Sequence, residues 1–244
     1  STNGNWLRNI PSDIDAYILA WFPSSVPALI YNPHQDSKIL LDITHNLTNH
    51  MSQNTKGKLY NFIPAHLFET SNIHQMANIT SDSSHADISQ VYKQQYTYIK
   101  TKNSPQIMNL IYNIIYSQEL NTLPVAIPIS GRFPVVTGHG DNLISPIHVE
   151  DLARITLQCV EKEITQEYLF CCDDMAVEQK TLIETCAYIH NLMPSIPIPE
   201  IIAQRLFPYR ALTWSRGVKM SNRELKTLGI FLKFPTYKAG LGIA

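Results

Sequence analysis

The 244-residue sequence predicts an α/β fold with a mostly parallel sheet. Three observations predict it. Short unbroken apolar runs, Ala16 to Phe22 and Tyr168 to Cys172, have the character of strands buried on both faces. Between such runs, apolar residues recur at helical spacing, as at Ile39, Leu40, Ile43, Leu47 and Met51. Ser145-Pro146-Ile147-His148-Val149-Glu150-Asp151-Leu152-Ala153 reads as an extended run that turns straight into a helix, with Glu150 and Asp151 where acidic groups favour a helix N-terminus.

Residues 1–12 are polar and loop-like. The Ala16 to Phe22 run stops at Pro23. A helix then opens at Gln35-Asp36-Ser37, with Asp36 or Ser37 as its expected N-cap. Gly57 leads into a second strand, Lys58 to Ile63, stopped by Pro64. Residues 70–86, rich in Ser, Asn, Asp and His, form a loop. Val91 to Lys100 is a helix candidate. Ile107, Leu110, Ile111, Ile114 and Ile115 match the helical template, so Ile107 to Tyr116 is expected to be helix as well. Leu123 to Ile129 is expected to be the third strand, despite Pro124 and Pro128. Ser130 to Asn142 is an irregular loop. After the His148 stretch come the strand Tyr168 to Cys172, a helix Val177 to Leu192 and a proline-rich connector, Pro194 to Pro199. Ser221-Asn222-Arg223-Glu224 has the form of a capping box, and Gly229 closes that short helix.

Apolar residues make up 44% and charged residues 16%, enough for one domain with a sizeable core. The formal net charge of -1 gives no electrostatic case for nucleic acid or an anionic membrane as partner. No apolar run approaches a membrane span and no signal peptide opens the chain, so the expected location is cytoplasmic. The four cysteines form no C-x-x-C pair and are expected to be buried reduced thiols; Cys171 and Cys172 point to opposite faces of a strand. The sequons at Asn46 and Asn78 are chance occurrences in such a protein. His45 and His50 fall five apart on a helix and share no face for a metal.

The Ile147-His148-Val149-Glu150-Asp151-Leu152-Ala153 segment resembles one in the NAD-dependent epimerase/dehydratase family, the extended and atypical short-chain dehydrogenase/reductases. The tail Ser221-Asn222-Arg223-Glu224-Leu225-Lys226-Thr227-Leu228-Gly229, followed by Phe234-Pro235-Thr236-Tyr237-Lys238-Ala239-Gly240-Leu241, is similar to the family's ending. Asp15 to Ala20 looks like the family's fourth strand and Lys58 to Ile63 its fifth. The resemblance implies a partial Rossmann-like doubly wound parallel sheet with a small C-terminal substrate-side appendage. Residues 1–130 would be the remaining core of the dinucleotide-binding sheet, and residues 131–244 a substrate-side region interleaved with the last strand and helices.

Two departures qualify the expected chemistry. The family opens with a strand, a G-x-x-G-x-x-G turn and a helix that holds the pyrophosphate. Here only Gly138-His139-Gly140 and Gly240-Leu241-Gly242 spell G-x-G, and neither is expected to join a strand to a helix. The cofactor expectation is therefore NAD or NADP if an N-terminal unit is supplied, and none otherwise. The family also carries a Ser or Thr after its fifth strand and a Tyr-x-x-x-Lys on the next helix, for proton transfer at a carbonyl or carbinol oxygen. Ile63-Pro64-Ala65 offers no hydroxyl, whereas Tyr96-Thr97-Tyr98-Ile99-Lys100 does spell the second motif.

By resemblance, then, Tyr96 and Lys100 are the candidate catalytic pair. Arg132 and His148 are candidates for the substrate, His148 alternatively fixing its loop by a backbone hydrogen bond. Ala20, Trp21 and Pro23, after the first strand, are candidates for the cofactor. Two readings follow. One is an NAD(P)-dependent oxidoreductase or epimerase acting on a small, sugar-like or other carbonyl/hydroxyl substrate, truncated or catalytically degraded. The other is a non-catalytic scaffold or regulatory protein on the same fold. A homodimer or another protein partner would cover the exposed edge of the sheet.

Overall fold

The apolar runs assemble into one parallel sheet. The computed structural model describes residues 14–20, 33–54, 57–67, 94–99, 107–119, 134–206 and 214–243. Its elements, in chain order, are β1 (Ala16–Leu19), α1 (Pro33–Asn54), β2 (Lys58–Pro64), α2 (residues 94–99), β3 (Ile107–Tyr112), β4 (Ile114–Tyr116), β5 (Val135–Thr137), β6 (Leu143–Ile144) and β7 (Pro146–His148). They continue with α3 (Val149–Glu161), β8 (Tyr168–Cys171), β9 (Val177–Glu178), α4 (Gln179–Ile189), β10 (Ile196–Ile198) and α5 (Glu200–Leu206), then short helices at Arg223–Thr227 and Tyr237–Gly240.

The main sheet has the order β1-β2-β3-β8, every pair parallel. All four carboxyl ends therefore lie along one edge, where open α/β sheets bind ligands. Side-chain alternation divides the core. Leu59, Ile63, Ile107, Ile111, Phe170 and Cys172 face a cluster covered by Leu40, Leu47 and Met51 of α1 and by Tyr96 and Ile99 of α2. Tyr60, Phe62, Met108, Leu110, Leu169 and Cys171 face the other, covered by Leu152, Ile155 and Cys159 of α3 and by Leu225. The four cysteines are free and buried, with Cys171 and Cys172 on opposite faces. A third cluster joins Ile114, Tyr116 and Ile144 to Leu182, Ile183 and Cys186 of α4.

Several elements differ from the expectation. Ile107–Tyr116 is two strands, not a helix. A strand buried on both faces is apolar at nearly every position, so it also satisfies the helical template; the β-branched Ile107, Ile111, Ile114 and Ile115 are the better signal. The break at Asn113 has a purpose. Its Oδ1 accepts the Ser145 amide at 3.1 Å, and the chain leaves β8 to pair β4 with β7. The expected third strand, Leu123 to Ile129, lies outside the described residues, as do residues 1–12 and 70–86. α1 begins at Pro33, ahead of the expected Gln35, since proline suits the first helical turn. The proline-rich connector contains β10, which pairs in parallel with β5 inside the stretch expected to be irregular. Helix α4 begins only at Gln179, because Val177 and Glu178 pair with β6 as β9.

The capping box does not form. Asn222 is the N-cap of its helix and makes no side-chain capping bond, while Ser221 Oγ accepts from the Arg223 amide at 3.4 Å. The Asn222 amide is committed elsewhere, donating to the Cys172 carbonyl at 3.0 Å and to Asp174 at 2.7 Å. Gly229 ends that helix with φ +68, a left-handed conformation cheap only for glycine.

Candidate functional site at the carboxyl ends of the strands

Three groups of polar residues gather where β2, β3 and β8 end. After β2, Pro64 and Ala65 lead into a 3-10 turn, Ala65–Leu67, and place His66 fully out of solvent. Burial first, and the nearby Arg216 guanidinium second, push the His66 imidazole down to about 3, so it is neutral. Arg216 Nη1 donates to the His66 carbonyl at 3.3 Å and ties the C-terminal part of the chain to the end of β2.

The second group surrounds His148. It is the N-cap of α3: its Nδ1 accepts the Glu150 amide at 3.3 Å, while Glu150 and Asp151 occupy the first turn. Its ring lies between Tyr116, at 5.3 Å between centroids, and Phe234, at 4.2 Å. Burial lowers its affinity for a proton, against the raising influence of Asp151 and Glu150. Asp151 is buried and accepts two backbone amides of the C-terminal segment, Lys233 at 2.7 Å and Phe234 at 2.8 Å.

The third group follows β8. Asp173 is buried, and its Oδ2 lies 2.8 Å from the Tyr116 hydroxyl. Asp174 accepts from Asn222 and pairs with Lys226 at 2.8 Å. The amides of Asp173 and Asp174 donate to the carbonyls of Pro146 and Pro235. The strand ends and the C-terminal segment are thus stitched together by carboxylates and backbone. No group of His, Cys, Asp and Glu among the described residues could hold a metal ion.

The sequence candidates are distributed as follows. Tyr96 lies buried on α2, in the cluster shared with Ile107, and the charges acting on its hydroxyl are those of Glu167 and Tyr168, where β8 begins. Burial first, then those two groups, push it up to about 12. Ala20 is exposed directly after β1, at the carboxyl edge. His148 caps its helix, the backbone role weighed for it from sequence. Lys100, Arg132, Trp21 and Pro23 lie outside the described residues. Sequence reasoning missed His66, Tyr116 and Asp173. The signal for Asp173 was two adjacent acids directly after an apolar strand, which read only as a strand end.

This parallel α/β arrangement is Rossmann-like. The structure is similar to the human epimerase family protein SDR39U1 (isoform 2) with NADPH, at 17% identity and a TM-score of 0.73, over 95% of this chain and 81% of that one. It is also similar to UDP-N-acetylglucosamine 4-epimerase from Bacillus cereus, at 14% identity and a TM-score of 0.67, over 99% and 82%. The Thermus thermophilus UDP-glucose 4-epimerase in complex with NAD matches at 13% identity and a TM-score of 0.65, over 93% and 76%. No family model and no curated protein matches the sequence. The likeness establishes the fold, that of NAD(P)-dependent epimerase-type structures.

The described residues do not fit the pyrophosphate of a dinucleotide. That group needs a glycine-rich turn from a strand into a helix N-terminus free to receive an anion. Gly138 and Gly140 instead lie in the turn between β5 and β6. The helices that follow strands directly, α3 and α4, open on acidic residues: Glu150 and Asp151 in the first turn of α3, and Glu178 as the N-cap of α4. No described helix is long and apolar enough to cross a membrane.

Proposed function

We propose that this protein is a catalytically degraded relative of the NAD(P)-dependent epimerases and dehydratases, on a fold suited to a small, sugar-like molecule at the strand ends. One observation carries the reading. Where the resemblance calls for a Ser or Thr hydroxyl to orient a reacting oxygen, β2 ends in Ile63 and Pro64, and Ala65 and a fully buried His66 open the turn that follows. In this reading Tyr96 does not compensate, because burial first, and the charges of Glu167 and Tyr168 after it, hold the proton on its hydroxyl. Tyr96 then serves packing, His148 caps α3 and Ala20 borders the strand ends. The protein is cytoplasmic and has neither nucleic acid nor membrane as a partner.

The test is fluorescence titration with NADH and NADPH, followed by turnover assays with UDP-glucose and UDP-N-acetylglucosamine, the sugars in the names of two similar structures. The expected result is weak or no cofactor binding and no turnover. A micromolar Kd together with turnover would overturn it. The second reading, nicotinamide-dependent catalysis through Tyr96 and Lys100, draws support from the position of Tyr96 on the helix between β2 and β3. Under that reading Tyr96→Phe abolishes turnover; a variant as active as the parent sinks it.

A further inference from the structure

The Tyr116 hydroxyl is fully buried and faces two acceptors. Asp173 Oδ2 lies 2.8 Å away, and the Thr236 carbonyl 3.2 Å on another side. A phenol has one hydrogen to donate. With Asp173 ionised, that hydrogen goes to the carboxylate, and the Thr236 carbonyl keeps only the Gly240 amide of its own short helix. With Asp173 protonated, the carboxyl O–H donates to the phenol oxygen and the phenol donates to Thr236. One proton therefore completes a chain of hydrogen bonds from the end of β8, through β4, to the C-terminal segment.

The other oxygen of Asp173 points the same way. Oδ1 is buried and has no hydrogen bond of good geometry among the described residues, the His148 amide being a weaker influence on the carboxyl. An ionised carboxylate would leave a charged oxygen bare, whereas the neutral acid leaves only a carbonyl oxygen. The facing groups supply no cation. They are Tyr116 of β4, Asp151 of α3, the His148 amide of β7 and Asp174 next in sequence, with the Cys186 thiol of α4 behind Tyr116. Lys226 is taken by Asp174 and Lys233 by Glu150. Burial is the main cause that pushes the Asp173 carboxyl up to about 8; the Tyr116 bond and the His148 amide pull it back, while Asp151 and Asp174 add to the rise.

We propose that Asp173 is a proton-operated latch: protonated, it ties the segment from Thr236 to Gly242 to the strand ends through Tyr116, and ionised, it releases that tie. The segment fits closely there. A Cβ on Gly240 would stand 2.4 Å from the Tyr116 oxygen. Asp151 still holds the Lys233 and Phe234 amides after release, so the chain loosens from Thr236 onward rather than detaching as a whole. Phe234 stays over His148 while the far end swings.

Hydrogen exchange of the amides of residues 237–243 tests this, the parent and Asp173→Asn being compared at each pH so that intrinsic exchange cancels. An asparagine amide donates to Tyr116 as the acid does but cannot ionise. From the ordinary carboxylate range up to about pH 8 the protection of the parent is expected to fall, by up to about tenfold per pH unit relative to the variant, and to level off above pH 8, one proton being linked to opening. Equal behaviour of the two proteins up to pH 10 would overturn the latch. Tyr116→Phe is expected to lose protection at every pH with no step; a step that persists in it would overturn the relay. Should Asp173→Asn not fold, the infrared carbonyl band of the parent decides. A protonated-carboxyl band that disappears between pH 7 and 9 supports the latch, and no such band at pH 7 overturns it.

Discussion

Two of the polar clusters buried among the described residues are built from different chemistry. One crosses the middle of the sheet. Asn61 of β2 donates to Asn109 of β3 at 3.1 Å, Gln95 of α2 donates to Asn61 and to Thr44 of α1 at 3.2 Å each, and Asn109 reaches the Glu167 carbonyl at 3.3 Å. Asn61 and Asn109 are register partners, so this is a rung of amides inside the core. The other lies at the strand ends and consists of Tyr116, His148, Asp151 and Asp173. Both are withdrawn from water. The first contains only neutral amides and a hydroxyl, so its hydrogen bonds do not change with pH. The second contains carboxylic acids and an imidazole, whose bonds depend on a proton. Each leaves one oxygen without a donor among the described residues, Gln95 Oε1 in the first and Asp173 Oδ1 in the second. A bare amide oxygen is a modest cost, whereas a bare carboxylate oxygen is a reason to stay protonated.

The sharpest way to break the acidic cluster is Asp151→Ala. It strips the Lys233 and Phe234 amides of their acceptor and is expected to cost about 3–4 kcal/mol, measured by urea denaturation. The matching change in the amide cluster is Asn61→Leu. It leaves the Asn109 oxygen and the Gln95 amide buried with fewer partners, for an expected loss of about 2–3 kcal/mol. The comparison lies in the pH dependence. The Asn61→Leu loss is expected to be the same at pH 5 and pH 9, and a loss that varied by more than about 1 kcal/mol would mean that the two clusters are coupled.

The amide cluster was the less legible of the two. Asn109 and Asn113 sit in a run whose apolar residues suit a helix as well as a strand, and only the partners, more than thirty residues distant, decide. Strands β2 and β8 were visible because a strand covered on both sides is almost uniformly apolar and closely bounded by Pro, Gly or Asp; β1 was visible by the same apolar run, although as an edge strand it leaves Ile18 exposed and is not covered on both faces as expected. Helix α3 was visible because its stripe of Leu152, Ile155 and Cys159 covers one face only. The site was less visible for a physical reason. A motif names residue types at a spacing, whereas burial and orientation decide their chemistry. Tyr96 has the spacing but is buried under the influence of the Glu167 and Tyr168 charges; His66 and Asp173 have no motif but are placed by the ends of β2 and β8.

Gly240→Ala brings a Cβ against the Tyr116 oxygen and is expected to cost about 1–3 kcal/mol, without a change in the acid limb of stability. That acid limb is a further contrast. His66 is buried neutral, with its proton affinity depressed to about 3 against an unfolded value of 6.5. The unfolded chain therefore binds the extra proton below pH 6.5. The stability His66 contributes is present above that pH and is lost as pH falls toward 3, by up to about 1.4 kcal/mol per pH unit. Asp173 has the opposite sign. Its contribution is complete below 3.8 and is lost as pH rises through about 8. The two slopes oppose each other between about pH 4 and 6.5, so thermal melts are expected to be level there and to fall from about 6.5 to 8. Asp173→Asn is expected to abolish the fall above pH 6.5 and to uncover the His66 rise from pH 4 to 6.5, and a variant that kept the alkaline fall would contradict the assignment.

The smallest expected effect separates the acids from one another. Asp174 is half in water and pairs with Lys226 at 2.8 Å, while Asn222 also donates to it. Removing the lysine as Lys226→Met leaves a carboxylate that solvent and Asn222 still satisfy, so the loss is expected to stay below about 1 kcal/mol and to shrink with added salt. The same substitution removes the cation paired with Asp174, so its influence on the neighbouring Asp173 carboxyl is expected to be upward. The alkaline limb of the melts would then move to higher pH although overall stability barely changes. A limb that stayed in place would show that burial alone, and not the crowd of acids at the strand ends, holds the proton on Asp173.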